Sequence, residues 1–195
     1  EDINIHLRFS MNIQFAKLLG ESIFIESKNK FINADVVLYH PGHFPELNEQ
    51  VVKMYNERPF KKIMIPNVHN KFLTEEEFSC HKKLLINYGI PESIIYPIFG
   101  EAESANDVIK NAIFQLDYSN EKNILLAGKT FFMRRFLLVA SAFAKNDMVL
   151  DVLPMEDNRG LNKENWHLTD VGRKRVMNEY HMISQFLKQN SLEIL

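Results

Sequence analysis

Five short runs of β-branched or large apolar side chains, none longer than seven residues, alternate with stretches of helical spacing. This alternation limits the possible folds more than any single motif does. The runs are "ADVVLY" (34–39), "KIMIP" (62–66), "SIIYPI" (93–98), "NILLA" (123–127) and "MVLDVLP" (148–154). Short, continuously apolar runs are the pattern of strands buried on both faces, as in a parallel sheet covered by helices. Between them, "ELNEQVVKMYNE" (46–57) places Leu47, Val51 and Met54 on one helical face. "TEEEFSCHKKLLINYG" (74–89) begins with Thr74 and Glu77 in capping-box spacing and stops at Gly89 before Pro91. "SANDVIKNAIFQL" (104–116) starts at the N-cap candidate Ser104 and turns Val108, Ala112 and Ile113 or Phe114 inward. "TFFMRRFLLVASAFAK" (130–145) is apolar nearly all round and is expected to be deeply buried.

Strand and helix alternating over short connections predict a three-layer, Rossmann-like α/β fold, with a mainly parallel sheet of about five strands and helices on both faces. One domain is expected over residues 1–195, with an N-terminal helix near 4–20 and a C-terminal helix near 168–190 packing on it. The second helix carries the stripe Val176, Met177, Tyr180, Ile183 and Phe186. The irregular stretch 154–167 reads as a loop over a site.

A formal net charge of −2, with acids and bases interspersed, lacks the clustered basic excess that phosphate-backbone binding requires, so no nucleic-acid partner is expected. Cys80 is the single cysteine and can form neither an internal disulfide nor a thiolate metal site. No apolar run approaches the roughly 18 residues of a membrane span. A cytoplasmic protein with a small-molecule partner is the expectation, and self-association into a homo-oligomer is compatible with it. The chain starts at Glu1 rather than at methionine, so a preceding anchor or targeting segment stays open.

In open α/β sheets, ligands bind where the carboxyl ends of the strands meet loops and helix N-termini. Those ends supply His40, Gly42 and His43; then Asn67 and His69; then Glu101, Glu103 and Ser104; then Lys129 and Thr130; and last Glu156, Asp157, Asn158 and Arg159. Gly128-Lys129-Thr130 resembles the end of a P-loop, but the required earlier glycine is Asn123 and the intervening "ILLA" is strand. The tripeptide therefore opens a helix. Either it presents Lys129 to an anion, or Gly128 turns the chain, Thr130 caps the helix and Lys129 is solvated. His40 and His43 would need a third ligand such as His69, Glu101 or Glu103 to hold a metal, and loop histidines bonded to backbone are the commoner arrangement, so no metal is assigned. Glu75, Glu76 and Glu77 suit a helix N-terminus, and one of them is placed to point back over the strand ends. Arg134 and Arg135 lie in an apolar helix, so at least one must reach a ligand or an internal carboxylate. No G-x-S-x-G elbow is present and Cys80 sits within a helix, so covalent catalysis has no support.

The order of these pieces resembles the YdcF-like family, which includes the ElyC and SanA proteins. The corresponding segments are "VVLYHPG" (36–42), "IMIPN" (63–67), Glu76 within "TEEEFSCHKKLL", "YGIPESII" (88–95), "EAESANDVIKNA" (101–112), "FFMRRF" (131–136) and the closing "GRKRVMNEYHMISQFL" (172–187). The chain departs from the family pattern at four places, one being that the paired Glu-Asn appears only as Lys110-Asn111, displaced by one residue. A Ser-Gly-Gly turn is replaced by Pro66-Asn67-Val68. The Thr that follows the Ser104 and Asn106 match is Asp107. The histidine before Met133 is Phe132. The resemblance implies a Rossmann-like fold with a pocket at the strand ends for a small anionic or nucleotide-like metabolite. An S-adenosylmethionine-like ligand is left open, methyl transfer is not expected, and no cofactor is specified.

On this basis the ligand-binding candidates are His40, Gly42, His43, Asn67, Glu76, Glu103, Ser104, Asn106, Lys129, Arg134 and Arg135. Glu76 and Glu103 are the candidates for a general base if a reaction is catalysed. Two alternatives compete: a degenerate, non-catalytic scaffold acting through protein partners, with Phe131 or Phe132 filling the cleft, and a metal-dependent hydrolase built on His40 and His43.

Overall fold

The computed structural model describes residues 12–190. Strands β1 (Val36–His40), β2 (Lys62–Pro66), β3 (Ile95–Ile98), β4 (Asn123–Lys129) and β5 (Val149–Met155) form one sheet in the order β3-β2-β1-β4-β5. Every neighbouring pair is parallel. All five apolar runs are therefore strands, and the three-layer, Rossmann-like α/β expectation holds.

The helices are α1 (Ile13–Ile23), α2 (Leu47–Glu57), α3 (Glu77–Asn87), α4 (Ala105–Phe114), α5 (Met133–Phe143) and α6 (Asp170–Asn190). Alternation along each strand divides the interior into two cores. Val36 and Leu38 of β1, with Ile124 and Leu126 of β4, pack against α1, α4, α5 and α6. Val37, Tyr39, Ile63 and Ile65 point the other way, against Leu47, Val51 and Met54 of α2 and Leu85 of α3. Burial on both faces is why the strands are apolar without alternation.

Several element ends differ from the sequence expectation. The Thr74–Glu77 capping box does not form: α3 starts at Glu77 after Glu76, which makes no side-chain cap. Glu77 is drawn into the interior instead and its carboxylate accepts from Asn70 Nδ2 at 2.7 Å. The helix of residues 130–145 begins as a 3-10 turn over Thr130–Phe132. Thr130 does not cap it, because its hydroxyl donates to Leu161 O at 2.8 Å. Ser141 and Ala142 on α5 are exposed, so deep burial ends at Val139 and Ala140 and the last turn reaches solvent. The N-terminal helix runs three residues past the expected stop at 20, and positions 4–11 of that expectation lie outside the described residues. On α6, Val176 and Phe186 are buried, but Met177 of the expected stripe is 52% exposed because its phase points to solvent.

Ser104 does cap α4, in a reciprocal box with Asp107. The start of α6 is pressed onto the fully buried Trp166: a Cβ at Gly172 would lie 2.1 Å from Trp166 O, so only glycine allows this docking. The tight seat brings the next turns of α6 over the carboxyl ends of β1 and β4.

Candidate functional site

From β1 the chain leaves to α2 on one face of the sheet, and from the neighbouring β4 it leaves to α5 on the other. This divergence opens a crevice at the strand ends, the usual ligand position in such sheets. A cleft of about 220 Å³ occupies it, floored by His40 and Lys129 and walled by Phe44, Phe131, Phe132, Arg135, Arg159 and the α6 residues Arg175, Asn178 and Glu179.

The loop after β1 is built around Gly42, whose φ of +63° is left-handed. A Cβ there would meet Lys129 Nζ at 2.9 Å, so the glycine serves both the turn and the passage of the lysine. Buried His81 fixes the loop by bonding Gly42 O through Nε2 at 2.7 Å. A carbonyl only accepts, so Nε2 carries the proton. Nδ1 of the neutral ring then accepts from Asn48 Nδ2 at 3.0 Å, and Asn48 Oδ1 accepts from the Tyr39 hydroxyl at 3.0 Å. Neutrality is favoured by burial, which lowers the His81 pKa.

Lys129 Nζ lies 5.0 Å from the centre of the Phe44 ring and donates no hydrogen bond to any described residue. Its pKa falls to about 8, chiefly through burial; Glu77 opposes the shift, while Arg159 and Arg175 add to it. His40 stacks against Phe132 at 5.0 Å, and its Nδ1 is enclosed without a partner. Burial first, then the charges of Lys129 and Arg135, bring its pKa to about 3, so it presents a neutral imidazole at physiological pH. Glu77 is 4% exposed, with Oε2 enclosed and unpartnered, and burial raises its pKa. Buried polar atoms without partners are rare in folded proteins, and they cluster where ligands or protons are handled.

Two of the arginines already have partners. Arg135 donates from Nε at 2.6 Å and from Nη2 at 3.0 Å to the Glu179 carboxylate, and from Nη1 at 3.0 Å to Asn106 Oδ1. Arg159 donates its backbone N–H and its Nε to Asp157 Oδ1, each at 3.0 Å, and its guanidinium sits 4.6 Å from the Phe44 ring centre. Burial would raise the Asp157 pKa, but Arg159 outweighs that and holds it below its ordinary value. Arg175 is exposed and forms no ion pair among the described residues.

Of the sequence candidates, His40, His43, Lys129 and Arg135 line the cleft and Gly42 shapes it. Asn106 and Ser104 are used internally, on Arg135 and in the α4 cap. Arg134 points away and donates to Ser22 O at 2.7 Å. Asn67, Glu76 and Glu103 are exposed and outside the cleft wall. Among the described residues no three His, Cys, Asp or Glu side chains gather as a metal site. The rings of His40 and His43 pack instead on separate partners, Phe132 and Phe136 for one, Phe44 and Phe72 for the other.

The ligand-binding candidates missed Arg159, Arg175, Asn178 and Glu179 of the cleft wall, and Glu77, whose charge acts on Lys129 from outside the wall. Glu77 could have been preferred over Glu76 because it shares the i, i+4, i+8 series with His81 and Leu85, all buried. Glu179 likewise lies in the apolar phase of Val176, a charged residue where a core residue belongs. No protein-family model matches the chain, and no curated protein matches it at a significant level. The geometry therefore carries the functional argument.

Proposed function

We propose that this chain is a divergent YdcF-like protein that binds a small anionic metabolite in the cleft between the ends of β1 and β4. The observation that carries this reading is Lys129: a largely desolvated ammonium, with no hydrogen-bonding acceptor among the described residues, at the switch point of a doubly wound sheet. A cation held in that state is stabilised by an incoming anion far more than a solvated one would be. The ordered series of family-like segments supports the family membership.

Charge also narrows the ligand. Lys129, Arg135, Arg159 and Arg175 surround the cleft. A sulfonium ligand such as S-adenosylmethionine, net positive, meets repulsion there that an anion does not. The competing scaffold reading draws on Phe131 and Phe132, both buried in the cleft wall. An open cleft with an unpaired lysine favours ligand binding over it.

Thermal denaturation with phosphate, pyrophosphate and S-adenosylmethionine tests the proposal. The anions should raise the melting temperature of the native protein, S-adenosylmethionine should not, and Lys129→Met should fold yet lose the anion response. An equal anion response in Lys129→Met, or none in the native protein, overturns the reading.

A further inference from the structure

The anion-binding reading leaves open what kind of anion fits, and the charges around the cleft are specific on this point. We infer that the cleft recognises a phosphoryl dianion on a compact ligand, held by three cations from three elements: Lys129 at the end of β4, Arg159 in the loop after β5, and Arg175 on α6. This inference rests on the proposed function above.

Within the wall, Arg135 is neutralised by Glu179 and Arg159 by Asp157. Lys129 and Arg175 are left in excess, and Glu77 acts on Lys129 from α3 without forming an ion pair or hydrogen bond with it. A monoanion can compensate the desolvated Lys129 but leaves the exposed Arg175 to solvent, whereas a dianion reaches both. Arg159 adds directional recognition. Its Nε and Nη2 are committed to Asp157, its plane lies near the Phe44 and Phe131 rings, and Nη1 has no partner among the described residues. A guanidinium fixed in this way loses little freedom on meeting a phosphoryl oxygen.

Size sets the rest of the ligand. The cleft's 220 Å³ is below the roughly 300–1,000 Å³ common for drug-sized ligands. A phosphate ester of a few carbons fits it better than a whole nucleotide does. Neutral His40 and Asn178 add polar contacts for hydroxyl groups without adding charge.

Methyl phosphate and methyl sulfate have nearly the same shape, but at pH 7.5 the first is mainly a dianion and the second a monoanion. Isothermal titration of the full chain should show methyl phosphate bound at least about tenfold more tightly. Arg175→Gln, at an exposed position, should keep the native melting temperature and remove most of that preference. Equal affinities that both vanish in Lys129→Met would overturn the dianion inference while leaving an anion site in place. An unchanged preference in Arg175→Gln would overturn the role of α6. Binding of neither compound, with no stabilisation by phosphate or pyrophosphate, would overturn this inference together with the function it rests on.

Discussion

Beside β5 lies a groove of about 360 Å³, larger than the 220 Å³ cleft at the strand ends, and yet the two concavities differ in kind. In the groove the polar floor is satisfied. Asp151 accepts from the Ser27 hydroxyl and from the backbone N–H groups of Lys28, Lys30 and Val152, all at 2.9–3.0 Å. Burial would raise its pKa, but these donors outweigh burial and hold it low. Lys30 donates to Leu150 O at 2.8 Å and Arg134 to Ser22 O. In the cleft, by contrast, Lys129 has no hydrogen bond to any described residue and His40 Nδ1 is enclosed without a partner. The groove is a place where chain segments are tied together. The cleft is a place where a lysine and a histidine nitrogen have been kept free among the described residues, a difference that cavity size alone does not report.

The contrast predicts opposite signs for mutations at paired and unpaired charges. The largest effect is expected at Glu179, the paired charge within the cleft wall. Glu179→Leu strands the buried Arg135 and should cost about 3–5 kcal/mol in urea unfolding, most of it recovered in Arg135→Met/Glu179→Leu. No recovery in the double variant would mean that the cost does not come from the stranded Arg135 charge. Next comes the groove. Asp151→Ala leaves three backbone donors and a hydroxyl without their acceptor and should cost about 2–3 kcal/mol, with the anion-induced rise in melting temperature retained.

For the unpaired cation the sign reverses. Lys129→Met should stabilise the protein at pH 7, by on the order of 1–2 kcal/mol after allowing for partial exposure. The folded pKa of Lys129, about 8, lies below the unfolded value, so the unfolded chain holds the extra proton between them. Native stability should therefore rise relative to the variant as pH increases from about 8 towards 10, the full penalty being present below 8. Parallel urea curves at pH 7 and pH 9.5 would show it, and a constant difference would break the argument. The smallest effect is expected at Glu103, exposed and outside the cleft. Glu103→Gln should change stability by less than about 0.5 kcal/mol and leave anion binding intact, whereas a lost anion response would return Glu103 to the site.

Legibility followed the range of the interactions. The strands were readable because burial on both faces writes a continuous apolar run, and the cap at Ser104 because it is closed by a neighbour three residues away. Lys129, His40 and His43 could be picked because a strand end is itself a local signal. The choice between Glu76 and Glu77 failed on one residue of helical phase: the family resemblance pointed to Glu76, whereas Glu77 is the one in phase with buried His81 and Leu85. Arg134 and Arg135 could not be separated by adjacency alone; one reaches Ser22 O and the other the Glu179 carboxylate on a helix 44 positions away.

What the sequence determined alone was the repertoire: parallel strands, covering helices, and a set of charged side chains delivered to one end of the sheet, all consequences of short-range periodicity. The tertiary structure decided the strand order that places β1 beside β4, and the docking of α6 through Gly172 on Trp166 that adds Arg175 to the cleft. It also decided which cations were neutralised. That depends on where carboxylates from distant helices come to rest, and no spacing within a single element encodes it.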